Sequence, residues 1–142
     1  MKITQTALLL LTSCMLLSST CKKDDPDTFC KHLKINNNTD KPVYTLYSYD
    51  YPDTSLNFQS PRINPNARRL GPQSKQNIDD THDCVGSDLS NPVIQKLSVF
   101  VFDAQLVDTI PWDQVRQRYL VQKRFDLTLD DLINNNYTFN LQ

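Results

Sequence analysis

Leu97-Ser98-Val99-Phe100-Val101-Phe102 decides the fold: from Val99 onward every side chain is apolar, at odd and even positions alike. Successive side chains of a strand point to opposite faces, so this run reads as a strand buried on both sides, at the centre of the core.

Working outward, strand patterns dominate. His32-Leu33-Lys34-Ile35 alternates polar and apolar before an Asn turn, and Val43 to Tyr51 is rich in Tyr, Val and Thr. Between residues 52 and 78, Pro52, Pro61, Pro65 and Pro72 break pairing into edges and loops. Residues 79–92 read as an acidic loop. Tyr119 to Leu127 alternates, with Tyr119, Val121, Phe125 and Leu127 on one face and Gln122, Arg124 and Asp126 opposite. Tyr137, Phe139 and Leu141 mark a closing strand.

Two short helices interrupt this pattern. Pro111 is placed to open one, with Trp112, Val115 and Tyr119 at helical spacing. Thr128-Leu129-Asp130-Asp131 resembles a capping box, with Leu129, Leu132 and Ile133 as the inner stripe and an Asn triplet at its end. The expectation is mainly β: a single β-sandwich-like domain over residues 30–142, with two short helices near its C-terminal end.

Composition sharpens this reading. All 16 acidic residues are Asp, and only Gly71 and Gly86 represent glycine. Left-handed turns are therefore expected to fall on Asn and Asp, in Asn36-Asn37-Asn38, Asn64-Pro65-Asn66 and Asn134-Asn135-Asn136. Lys2 is the only charge before residue 22, so 14 of the 15 basic residues and all the acidic ones follow it. That near balance exerts no global pull toward nucleic acid or anionic lipid.

Residues 1–20 combine one Lys, an apolar run from Ala7 to Leu17 and small polar residues, the pattern of a signal peptide. The run is short against the ~20 apolar residues of a membrane span, although an uncleaved anchor is the alternative. Leu17-Ser18-Ser19-Thr20-Cys21 resembles a bacterial lipobox, which implies lipidation of Cys21; Ser18 stands where Leu is expected. Leu11-Thr12-Ser13-Cys14 fits that spacing better but shortens the apolar region, so Cys21 is preferred. Residues 21–29 then form a charged, Pro-containing tether. Two acyl chains plus an N-acyl group anchor durably where one chain does not.

This leaves Cys30 and Cys84. An exporting address favours a disulfide between them, worth about 4 kcal/mol in the loop-entropy model, with two free buried thiols as the rival reading. Neither has a second cysteine or histidine at ligand spacing, so no metal site is expected.

The tether Lys22-Lys23-Asp24-Asp25-Pro26-Asp27 resembles those of Bacteroidota lipoproteins, whose acidic residues after the lipidated cysteine imply export to the cell surface. The blocks NNNTDKPVYTLYSYDYPDTSL and IPWDQVRQRYLVQKRFDLTLDDL are similar to small uncharacterised Bacteroides-type surface lipoproteins of unknown function. That resemblance implies an outer-membrane, lipid-anchored and surface-exposed protein, periplasmic-facing retention being the alternative. It carries no activity or cofactor. Asp108-Thr109-Ile110 also resembles the O-glycosylation acceptor of that phylum, although Thr109 could instead serve the neighbouring helix.

Among candidate chemistries, Tyr47, Tyr49 and Tyr51 share one strand face, and Tyr44 and Leu46 the other. If Tyr44 and Leu46 point inward, the three phenols form an exposed ladder able to stack on sugar rings or a partner's apolar surface. The favoured alternative packs the Tyr face inward. Asp79-Asp80-Thr81-His82-Asp83 with Asp88 reads as a solvated acidic loop. An EF-hand fails, because Cys84 replaces its Gly and Ser90 its bidentate Glu. Only His32 and His82 exist and neither sits in a nucleophile–base arrangement, so no catalytic residue is assigned. Arg116, Arg118, Lys123 and Arg124 interleave with Trp112, Tyr119 and Phe125, yet the alternation turns most charges outward to solvent. These observations lead to a non-catalytic, lipid-anchored envelope module that binds a glycan or protein partner, without cofactor or nucleic acid. A structural subunit of an outer-membrane complex is the alternative, and a small hydrolase the third reading.

Overall fold

Strand β5, Leu97–Asp103, lies at the centre of the larger of two sheets in this computed structural model, which describes residues 31–53, 55–78 and 84–142. It pairs antiparallel with β2 (Val43–Ser48) on one side and β6 (Lys123–Leu127) on the other. Strand β3 (Arg68–Leu70) extends the outer edge of β2, giving the order β3-β2-β5-β6. The second sheet has the order β4-β1-β7, from β4 (Ser74–Asn77), β1 (Lys34–Asn37) and β7 (Thr138–Leu141). Within it β4 runs antiparallel to β1 and β7 parallel to it.

Both faces of β5 are buried, as its composition required. Leu97, Val99 and Val101 join Leu33, Ile35, Ile78 and Leu141 in a core between the sheets. Phe100 and Phe102 point the other way, into a second cluster with Tyr44, Leu46, Leu56, Val107 and Val115. Short helices cover what the sheets leave open: α1 (Val85–Asp88), α2 (Ala104–Thr109), α3 (Trp112–Gln117) and α4 (Leu129–Asn134). Among the described residues the fold is thus mainly β, with two facing sheets and four short helices.

Capping chemistry sets where several elements change. Asp103 ends β5 and caps α2, its carboxylate accepting from the N–H groups of Gln105 (2.8 Å) and Leu106 (3.2 Å). Thr128 and Asp131 form the reciprocal capping box that opens α4. The Thr128 backbone N–H, and then its hydroxyl, hold the Asp131 carboxyl below its ordinary pKa. Helix α3 begins immediately after Pro111, as expected.

Several expectations need correction. Helices α1 and α2 were not anticipated, and α1 lies in the stretch read as a loop. Strand β2 ends at Ser48 rather than Tyr51. Strand β6 begins at Lys123, because Tyr119 takes a left-handed backbone (φ 47°) that no strand continues. Ile133 is exposed, so Leu132 is the buried member of the α4 stripe. Among the described residues, left-handed positions fall on Leu56, Gln73, Tyr119, Asn136 and Tyr137, so only Asn136 meets the expectation. Asn36 and Asn37 are strand residues instead.

Arg124 also departs from expectation. It packs over the Phe100 ring at 5.2 Å rather than pointing freely to water. Its Nε donates to Asp126 (2.7 Å) and its Nη2 to the Ser98 hydroxyl (3.1 Å), while Ser98 donates to Asp126 (2.7 Å). Burial pushes the Asp126 carboxyl up, but hydrogen bonds from Ser98 and Arg124 outweigh it and hold the pKa below its ordinary value. The stability Asp126 contributes is therefore complete above the unfolded value near pH ~4, and is lost as pH falls through the lower folded value. Asp126→Asn is expected to be less stable than the parent at pH 7. Urea midpoints of the two should converge as pH drops toward 2; a constant gap would rule out this linkage.

Candidate functional site

A groove of about 380 Å³ opens at the C-terminal end of β2, against the second hydrophobic cluster. Its apolar floor comes from Leu46, Leu56, Phe58 and Phe100. Phe58 packs on Phe100 at 5.6 Å and on Trp112 at 6.0 Å, so the floor is braced from α3. Trp112 donates its indole N–H to the Phe58 carbonyl (2.9 Å), fixing the loop that carries Asn57 and Phe58.

The rim is polar. Asp50 accepts from the Ser48 hydroxyl (3.1 Å), and Asp53 accepts from both the backbone N–H and hydroxyl of Ser55 (2.7 and 2.8 Å). Asn57 accepts from Arg116 (2.9 Å), and the Asn64 side chain accepts from the Asn66 N–H (2.9 Å). Those contacts use the amide oxygens of two residues that line the groove. Among the described lining residues none is basic. Leu56 holds φ 51° while almost fully buried. That conformation costs about 1–2 kcal/mol for a non-glycine residue, and strain of this kind concentrates at functional sites.

Two of the three tyrosines singled out from the sequence line this groove. Tyr47 and Tyr49 are half-buried and packed against the inter-sheet core, ring against ring at 6.0 Å and 72°. The Tyr49 hydroxyl donates to Asp88 in α1 (2.9 Å). Tyr51 lies beyond the end of β2, with the Lys96 ammonium 4.7 Å from its ring centre. The three phenols are not one exposed ladder; both faces of β2 are covered, and Tyr47 and Tyr49 meet the groove at its side.

Other residues singled out from the sequence lie elsewhere. Cys84 is disulfide-bonded. Cys14, Cys21 and Cys30 lie outside the described residues, as do Asp79 to Asp83 with His82 and the tether. Among the described residues no group of His, Cys, Asp or Glu is arranged to hold a metal ion. Thr109 is exposed, its hydroxyl donating back to the Gln105 carbonyl (2.8 Å) in the manner of a helical threonine. No described helix is long and apolar enough to cross a membrane.

Sequence reasoning missed Asn57, Asn64 and Asn66 as groove residues. Asn64-Pro65-Asn66 was read as turn chemistry, and Asn57 carried no signal of its own. No protein-family model matches the chain, and comparisons with curated proteins and with solved structures gave no match.

Proposed function

We propose that this protein is a lipid-anchored, non-catalytic module of the bacterial outer surface, and that the groove beside β2 binds a neutral glycan. The groove carries this reading: an apolar, aromatic-braced floor with amides, hydroxyls and carboxylates converging on its rim. Ligand sites of this kind use the apolar floor for affinity and a few placed polar groups for orientation. Sugar rings offer both an apolar face and a hydroxyl edge, which suits a groove lined by Phe58 and Tyr47 together with Asn57 and Asn64. The anchor at Cys21 and the surface address rest on the N-terminal sequence.

Asp50 and Asp53 are the observation behind the hydrolytic alternative. Each carboxylate accepts from the serine two residues away, the geometry of a local turn. Acid and base partners across a glycosidic bond need a fixed separation over a cleft instead.

The test uses full-length protein extracted from membranes in detergent. Its mass reports acylation at Cys21, and titration with neutral oligosaccharides reports binding. Asn57→Ala together with Asn64→Ala is expected to weaken binding at least tenfold with the urea midpoint nearly unchanged. Binding that survives this double change would remove the groove from the reading. An unacylated mass would remove the address independently.

A further inference from the structure

A second cleft, of about 610 Å³, lies between the turn at residues 60–63 and the junction of α2 with α3. Val107, Ile110, Pro111 and Trp112 give it apolar walls, and Ile63 at its mouth is 72% exposed. One carboxylate, Asp108, lies in the wall, held by a hydrogen bond from the Tyr44 hydroxyl (3.1 Å). Two guanidinium groups face that single carboxylate: Arg62 Nε at 3.9 Å and Arg69 Nη2 at 3.8 Å.

Both separations exceed hydrogen-bond reach, so the two cations share Asp108 loosely and retain donors for another acceptor. Arg69 is positioned from β3, its guanidinium 5.9 Å from the centre of the Tyr44 ring. Burial, and then the bond to Asp108, raise the Tyr44 pKa, so this phenol is a protonated donor to Asp108. The corner is one positive charge in excess, on a chain whose net charge is −1.

We propose that this cleft docks an acidic, apolar segment of a partner protein. A large apolar side chain of that segment rests against Val107, Ile110 and Trp112, and an adjacent carboxylate bridges Arg62 and Arg69 beside Asp108. Charge complementarity selects the acid, and the hydrocarbon walls select a peptide over a polyanionic sugar, which would leave Ile63 and Trp112 uncovered. The cleft shares no lining residue with the glycan groove, although Trp112 also braces that groove's floor.

Trp112 is the only tryptophan in the chain, so its fluorescence reports occupancy. The probes are acetyl-Leu-Asp-Phe-amide and its Asn counterpart, added to the detergent-extracted full-length protein. The Asp peptide is expected to bind at least tenfold more tightly than the Asn peptide, with an affinity that falls as salt rises. Arg62→Gln with Arg69→Gln should abolish that difference. Asp108→Asn should tighten the Asp peptide about tenfold, because a competing charge leaves while the amide oxygen still accepts from Tyr44. Equal binding of the two peptides, weaker binding to the Asp108→Asn protein, or saturation by acetate alone at the same concentration would each overturn the proposal.

Discussion

Replacing Phe102 by alanine is expected to lower the unfolding free energy by about 3–5 kcal/mol. The side chain is wholly buried, stacked against Phe100 at 6.5 Å and set edge-on to Trp112 at 5.4 Å. The same cluster holds Leu46, Val107 and Val115, anchored in β2, α2 and α3. These elements meet at this cluster and cannot all move inward together, so most of the vacated volume would stay open. Domains of this size are stable by about 5–15 kcal/mol in total, and one change here removes a large share. Urea unfolding followed by circular dichroism should show a lower midpoint with little change in slope. Phe125→Ala offers the contrast: that ring is half-buried, sits at 6.1 Å from Phe139, and should cost clearly less. A Phe102→Ala loss below about 1 kcal/mol would mean that the second cluster contributes little to the folded state.

Phe102 could be named from the sequence because a two-residue period leaves no freedom. Any strand through residues 97–102 must send Val99 and Val101 to one face and Phe100 and Phe102 to the other, and both faces then need cover. The capping box at Thr128 and the opening of α3 at Pro111 were legible for a like reason: each depends on neighbours within about four residues. Helix α2 was legible in principle too. Asp103 is a good cap, and Ala104 and Val107 sit three residues apart on its buried side. The strand signal running into Asp103 concealed it.

What stayed hidden depends on contacts distant in sequence. Arg124 was assigned to solvent by alternation, but Ser98, 26 residues away, offers it a polar partner beside Phe100. The left-handed backbone at Leu56, Gln73 and Tyr119 was equally unreadable, because local preference would have chosen Asn or Gly at each. Tertiary packing chose instead. Leu56 is buried in the groove floor, and Gln73 donates its side-chain amide to the carbonyls of Asn38 (2.7 Å) and Thr39 (3.2 Å). The groove itself joins the end of β2 to a loop some ten residues farther on and to Asn64 and Asn66. All of its lining but Phe100 falls within residues 46–66, yet that Pro-broken stretch carries no period from which its fold-back could be read.

Asn37→Asp is expected to destabilise the protein by about 3 kcal/mol or more at pH 7, as a buried charge without a cation beside it. Asn37 has no exposed surface, and its side chain satisfies four hydrogen bonds. The Nδ2 donates to the carbonyls of Lys41 (2.8 Å) and Gly71 (2.8 Å), and the Oδ1 accepts from the Thr39 N–H (3.2 Å) and hydroxyl (2.7 Å). Those partners lie on two of the connections by which the chain crosses between sheets, from β1 to β2 and from β3 to β4. One amide therefore ties both crossings at a single corner of the sandwich. A carboxylate there would keep the accepting side but face two carbonyl oxygens with no donor to offer them. Desolvation and those carbonyls would raise its folded pKa above the unfolded value, so the penalty should be full at neutral pH and shrink as acid protonates the group. Asn37→Ala separates charge from hydrogen bonding: it should cost about 2–3 kcal/mol from unsatisfied carbonyls, with no such pH dependence. Urea midpoints of both variants between pH 7 and pH 5 decide the matter. If Asn37→Asp tracks Asn37→Ala across that range, the two crossings are not held by this amide's donors.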